Sequence, residues 1–344
     1  MYFGSDTTAP AHPRVIEALA RVNTGIEPSY GDDSGSARAR AELARTFETD
    51  DFDFWFVASG TAANALVLSC FCPPHASILC HREAHIQMDE RGAPEFFTGG
   101  GRLQLLSGQG AKIDFAAFRD YLDGVDPGSV HATPPAALSL TNLTESGCAY
   151  TPDEIARFAS RARGAGLAVH LDGARLGNAL VHTGASPAQM TWKAGVDALS
   201  LGLTKTGAMG CEIIMLFGRA RAKFQELRIR AKRSGHMPAK MRYLSAQAEA
   251  MLTGDLWLSL SAEANRKARD LAGVFVGLGV ELAHPVEGNE VFVRLTDEDS
   301  RALKEDGARF YGWPDGSSRF VCSWATTDAE IADLRSTLGR AMRR

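Results

Sequence analysis

The sequence predicts an α/β protein: a large domain on a mostly parallel central sheet flanked by helices, then a small C-terminal α+β domain. Two observations carry this. Between residues 53 and 217, short apolar runs alternate with amphipathic stretches, the pattern of chained βαβ units. From about Asp255 the order changes to one long helical stretch, several short strands and a last helix. The expected division is therefore 1–254 and 255–344, and 344 residues suffice for one large and one small domain.

Seven strands are predicted in the first part: DFWFV (53–57), SILC (77–80), RLQLL (102–106), AALSL (136–140), LAVHLD (167–172), ALSLG (198–202) and EIIMLF (212–217). Helix ends are readable between them. TAANALVLSCF follows the small-residue turn after the first strand. Thr151-Pro152-Asp153-Glu154 combines an N-cap, a proline at the first helical position and a capping-box glutamate, and that helix runs to the Gly164–Gly166 stop. Ser186-Pro187 opens a helix expected to end at Gly195. Past Asp255, the stretch WLSLSAEANRKARDLAGVFVGLG predicts a long helix. VELA, VFVRL and SRFVCSW predict strands, and Thr327-Asp328-Ala329-Glu330 opens the last helix with a second capping box.

Composition narrows the function. Lys plus Arg number 37 against 41 Asp plus Glu, a net charge of −4 with no basic stripe, which argues against a nucleic-acid partner. No apolar run approaches the ~20 residues of a membrane span. The start, MYFGSDTTAP, lacks the basic and apolar regions of a secretion signal. Six cysteines, none in a C-x-x-C pair, read as buried structural thiols of a reducing cytoplasm.

Four features carry chemistry. Lys205 follows the strand ALSLG and precedes Gly207 and Gly210; a lysine at a strand end in an α/β sheet points toward the ligand crevice. Partly desolvated, its amine becomes a nucleophile for a carbonyl, although a lysine snorkelling into water is the commoner case. HLDGAR (170–175) ends a strand in Asp172, with Arg175 three residues on. Such a carboxylate suits a cationic ring nitrogen, or simply caps the next helix. SGTAAN (59–64) joins a strand to a helix N-terminus, a phosphate site in general form or a capped helix start. His85, in HREAHIQMDE, suits stacking on a flat ring or proton transfer. With His81 it forms H-x-E-x-H rather than H-E-x-x-H, and no third ligand is evident, so no metal is expected. In this order the four features suggest a pyridoxal phosphate (PLP) site.

The series SYGDD (29–33), SGTAAN (59–64), Ala84-His85, HLDGAR (170–175) and LTKTGAMG (203–210) resembles the low-specificity threonine aldolases over nearly the whole chain. These are PLP enzymes of the aspartate-aminotransferase-like fold type I, related to the β-eliminating lyases. The resemblance implies that Lys205 joins the cofactor as an imine, with Thr204 beside it, and that Asp172 pairs with the ring nitrogen. It implies His85 on the ring face, Ser59, Gly60 and Thr61 at the phosphate, and Arg175 near the 3-oxygen. Ser5, Arg175 and Arg319 would grip the substrate carboxylate, and His131 would stand near the substrate hydroxyl. Tyr30 and Asp32 would lie near the pocket at a subunit boundary, and one of Arg230, Lys232 and Arg233, taken as Arg233, would reach a neighbour's phosphate. A homodimer or homotetramer with shared sites follows.

Two stretches depart from the family pattern. After ALSL many members carry Glu-Asn-Thr-His, whereas this chain reads Thr141-Asn142-Leu143-Thr144-Glu145-Ser146-Gly147 and lacks that histidine. After His85 comes Ile-Gln-Met-Asp rather than an aromatic-rich segment. The implied reaction is retro-aldol cleavage of a β-hydroxy-α-amino acid, such as threonine, allo-threonine or phenylserine, to glycine and an aldehyde. Either His85 or His131 would be the general base, directly or through a water. The alternatives are another reaction on the same scaffold (β-elimination, transamination or decarboxylation) or a non-catalytic PLP- or nucleotide-binding module.

Overall fold

A computed structural model of the chain describes residues 1–126 and 128–342. Two helices come first, α1 (Pro13–Val22) and α2 (Ser34–Phe47). The first strands and helices are β1 (Phe52–Val57), α3 (Gly60–Phe71), β2 (Ser77–His81), α4 (His85–Met88), α5 (Ala93–Thr98), β3 (Arg102–Leu106) and α6 (Phe115–Gly124). They are followed by β4 (Pro135–Thr141), α7 (Pro152–Gly164), β5 (Ala168–Gly173), α8 (Leu176–Thr183), α9 (Pro187–Met190), β6 (Ala198–Gly202) and β7 (Glu212–Phe217). The chain continues through α10 (Phe224–Arg233), α11 (Arg242–Leu252), α12 (Leu256–Gly277), β8 (Glu290–Val293), α13 (Asp297–Glu305), β9 (Tyr311–Gly312), β10 (Ser318–Val321) and α14 (Asp328–Ala341).

The seven predicted strands form one sheet in the order β1-β7-β6-β5-β4-β2-β3. β2 to β6 are parallel, and β7 runs antiparallel to both β6 and β1. The short link between β6 and β7 explains the exception: residues 203–211 suffice for an antiparallel turn, whereas a parallel return needs a long crossover. That turn carries Lys205. The C-terminal ends of β1, β4, β5 and β6 open on one crevice, the usual ligand edge of such sheets.

Local signals hold where the cap is built from neighbours. Thr151 and Thr327 both form complete capping boxes, with Glu154 and Glu330. The helix expected from Ser186 to Gly195 is instead broken. α9 stops at Met190, Thr191 has non-helical angles, and Trp192–Ala194 make a separate 3-10 turn. The Thr191 hydroxyl bonds back to the Pro187 carbonyl, and the Trp192 indole N–H donates to the Phe47 carbonyl at 2.7 Å. The small sheet is also revised. VELA contributes only a bridge from Leu282 to Val293, and the third strand is β9, in the order β8-β10-β9.

Among the described residues two large apolar cores result, beside a small cluster of Leu143, Ala149 and Ala179. One surrounds the large sheet; the other gathers residues 268–338 together with Phe3. Phe3 belongs there because its N–H donates to the Arg309 carbonyl and its carbonyl accepts from Val321 N–H, both at 2.8 Å. The N-terminus is thereby laid along the small sheet, and the turn at Ser5–Thr8 enters the crevice. All six cysteines are buried and unpaired, and burial pushes the Cys80 thiol up to about 12. Among the described residues no helix is long and apolar enough to cross a membrane.

Candidate active site

At the C-terminal ends of the strands lies a cavity of about 400 Å³. Lys205, Thr204, Asp172, Arg175 and His85 line it. So do Ser59, Gly60, Thr61, Ser5 and Arg319. Sequence positions 5 and 319 thus meet residues from the centre of the chain.

The Lys205 turn is held from beneath. The Glu212 carboxylate accepts from Leu203 N–H at 2.7 Å, and the Thr204 hydroxyl accepts from Cys211 N–H at 3.2 Å. Burial pushes the Glu212 carboxyl up to about 7. The turn also approaches the loop after β5 very closely. A Cβ on Gly202 would stand 2.5 Å from the Ala174 carbonyl oxygen, so only glycine fits. The Lys205 ammonium makes no hydrogen bond or ion pair with the described residues.

The Asp172 carboxylate is fixed by two hydrogen bonds. Ala174 N–H donates to Oδ1 at 3.0 Å, and Asn64 Nδ2 donates to Oδ2 at 2.8 Å. Below it, His170 bridges Ser139 of β4 and Ser200 of β6 through its two ring nitrogens, at 2.9 and 3.0 Å. Burial lowers His170 to about 4, so it is a neutral tie between strands. Asn64 Nδ2 also donates to Glu90 Oε1 at 2.9 Å, and the same oxygen meets His85 Nδ1 at 2.7 Å. One hydrogen-bonded series therefore runs from Asp172 to His85. The Glu90 contact raises the imidazole's proton affinity and leaves Nε2 as the free ring nitrogen.

At the start of α3, Ser59 caps its own helix by accepting from Ala62 N–H. Gly60 and Thr61 N–H have no acceptor among the described residues. A Cβ on Gly60 would meet nothing within 4 Å, so the space above this helix end is open.

The two arginines carry their own counter-charges. Arg175 is largely but not fully buried and binds Asp6 through Nε at 2.8 Å and Nη2 at 3.1 Å. Glu290 lies 3.7 Å from both Arg175 and Arg319, and neither of its buried oxygens has a hydrogen-bond partner. Arg319 is stacked over Trp313, 4.5 Å from the ring centroid.

Four expected residues are not brought into this cavity. His131 is exposed ahead of β4, at the opposite edge of the sheet. Tyr30, with φ of 62°, lines a separate cleft with Trp55 and Arg228, and its ring faces Lys232. Arg233 is exposed at the end of α10. Asp32 lines the Tyr30 cleft as well. His81 engages the Glu83 N–H and the Gly108 carbonyl through its ring nitrogens.

Sequence reasoning missed Asp6, Asn64, Glu90, Glu145, Glu212 and Glu290. Several lay inside stretches already singled out: Asn64 ends SGTAAN, Glu90 ends HREAHIQMDE, and Asp6 follows Ser5. Nothing local marks which carboxylate meets which cation.

Residues 3–298 match the Beta-eliminating lyase family. The low specificity L-threonine aldolase of a Pseudomonas species is 37% identical over 99% of this chain and 97% of its own. That of Pseudomonas aeruginosa is 39% identical over 96% and 95%. The chain belongs to the low-specificity L-threonine aldolase family. The solved threonine aldolase from Leishmania major agrees with this family fold, with a TM-score of 0.91, 27% identity and 98% coverage of both chains.

Proposed function

We infer that the protein is a PLP-dependent aldolase that cleaves β-hydroxy-α-amino acids, threonine among them, to glycine and an aldehyde. One observation carries the reading: an unpartnered lysine, a doubly anchored aspartate and an open helix N-terminus line the same cavity. These residues fit PLP. Lys205 offers an amine for its aldehyde, Asp172 a carboxylate for its ring nitrogen, and Gly60 and Thr61 free N–H groups for its phosphate. When bound, PLP supplies a sink for the electrons of a broken bond at Cα.

The chain's own residues do the rest. Asp172, held by Asn64 and Ala174 N–H, stays in place to keep the ring nitrogen protonated. His85, oriented by Glu90, covers the ring face. Arg319 and Ser5 receive the substrate carboxylate, with Arg175 behind them, and fix which bond at Cα stands ready to break. Tyr30 and Arg233, which this chain keeps outside its own cavity, would serve a neighbouring copy's site in a dimer or tetramer. The buried, unpaired thiols support a reducing cytoplasm as the place of work.

The test is product analysis with L-threonine, L-allo-threonine and phenylserine. Glycine and the matching aldehyde are expected. Products of elimination, transamination or decarboxylation instead would overturn the aldolase reading. Lys205→Ala is expected to lose the visible band and borohydride trapping of the cofactor.

A further inference from the structure

The loop after β4, which lacks the expected histidine, delivers a carboxyl to the cavity instead. Two polar brackets make it rigid. Asn142 exchanges hydrogen bonds with the Tyr150 backbone, 3.1 Å each way, and Thr144 ties the Gly110 carbonyl to the Cys148 N–H. Between these brackets Glu145 is the loop's single carboxyl side chain and lines the cavity. Its Oε1 accepts from His85 N–H at 2.7 Å. Its Oε2 is closed off from water and has no partner.

We propose that Glu145 is the group that exchanges a proton with the β-oxygen of the substrate, in place of the missing loop histidine. The proposal rests on the aldolase reading above. The other cavity groups are committed or solvated. Asp172 is bound at both oxygens, Glu212 is bonded to the Leu203 N–H beneath the Lys205 turn, and His85, with Nδ1 on Glu90, keeps only Nε2 free and is assigned to the ring face. Asp89 is exposed to water, and His131 is at the far edge of the sheet.

In cleavage, the O–H bond of the β-hydroxyl breaks and its proton passes to the Glu145 carboxylate. The oxygen's electron pair forms the aldehyde C=O, and the Cα–Cβ bond breaks with its pair going to Cα. Cα then takes up one proton and glycine leaves, so one proton is lost and one regained and no co-reactant is needed. In condensation, the protonated carboxyl returns its proton to the aldehyde oxygen.

The charged surroundings suit both directions. Asp172 on β5 and His85 at the start of α4 face Glu145, as do Arg175 at the start of α8, Cys80 on β2 and Tyr150. Burial and the Asp172 charge together raise the carboxyl to about 8. It therefore holds its proton at neutral pH and releases it in mild alkali.

The test uses the PLP-loaded Glu145→Gln, Glu145→Asp and His131→Asn variants. Three quantities are read: the visible cofactor band, exchange of the glycine Cα proton with D₂O by NMR, and the pH profile of kcat/KM for threonine cleavage. Cα exchange needs the cofactor and the carboxylate grip but no β-oxygen. Infrared difference spectra between pH 7 and 9 follow the carboxyl directly. For Glu145→Gln we expect the band and the exchange to persist and cleavage to fall by about 10²- to 10⁴-fold. The rising limb centred near pH 8 and one carboxyl signal should be lost with it. Glu145→Asp should restore part of the limb, which separates chemistry from misfolding. Cleavage unchanged in Glu145→Gln, exchange lost in parallel with cleavage, or a limb removed by His131→Asn but kept in Glu145→Gln would each overturn the assignment. Wild-type protein that exchanges glycine but cleaves no β-hydroxy amino acid would overturn the aldolase reading and the assignment together.

Discussion

Asp6 grips Arg175 with both carboxylate oxygens, across 169 positions of sequence, and the pair is largely buried at the cavity wall. Asn289 donates to the same Asp6 at 3.0 Å. The N-terminal turn is thereby locked to the turn that follows the strand carrying Asp172.

Asp6→Ala should remove both hydrogen bonds to Arg175 and leave it only Glu290 at 3.7 Å, at a cost of about 1.5–3 kcal/mol in urea unfolding at pH 7. Burial alone would raise the Asp6 carboxyl, but Arg175, Lys205 and Asn289 hold it below its ordinary 3.8. Its contribution is therefore present above pH 3.8 and lost as pH falls through the lower folded value. Asp6→Asn should flatten that acid limb. A variant that unfolds in acid as the parent does would show that the pair is not what holds the turn.

Asn64 gives one amide nitrogen to Asp172 and Glu90 alike. Asn64→Leu keeps the volume and removes the donor from both carboxylates. Losing hydrogen bonds to charged groups, at about 1.5–3 kcal/mol each, should weaken PLP retention about 10- to 100-fold. Absorbance titration of the apoenzyme with PLP measures it; unchanged affinity would contradict the role of this bridge.

Glu212 binds its proton more tightly folded, at about 7, than its ordinary 4.5. Its contribution to stability is full below pH 4.5 and declines as pH rises through 7. Glu212→Gln should flatten that decline by about 1–3 kcal/mol between pH 5 and 8. Denaturant midpoints at the two pH values decide it, and an equal slope in parent and variant would count against it.

Gly202 and Gly60 should respond differently. Gly202→Ala places a Cβ 2.5 Å from the Ala174 backbone, which cannot swing away as a side chain would. It should cost about 1–3 kcal/mol and impair PLP binding together. Gly60→Ala meets open space within the protein, so thermal stability should hold while phosphate affinity falls. A stable Gly202→Ala would show that the two loops can part without harm.

Much of this protein is legible residue by residue. Strand runs such as ALSLG and EIIMLF, and the boxes at Thr151 and Thr327, depend on neighbours a few positions apart, and they reappear as drawn. The helix from Ser186 failed because the Trp192 indole finds the Phe47 carbonyl, 145 positions away. His131 failed for a related reason. The family resemblance placed it with the site, but β4 runs for seven residues between His131 and the cavity, on the order of 20 Å at the usual strand rise.

The sequence by itself determined the order of elements, the family, and the residues set at strand ends: Lys205, Asp172, His85 and the turn at Ser59. Caps, periodicity and turn residues are short-range, so local chemistry decides them. Only the tertiary structure decided which charges meet. Asp6 reaches Arg175, Asn64 joins Asp172 to Glu90, and Glu145 comes to the His85 backbone. Each contact spans tens to hundreds of positions or turns on loop shape, and sheet order sets it rather than spacing.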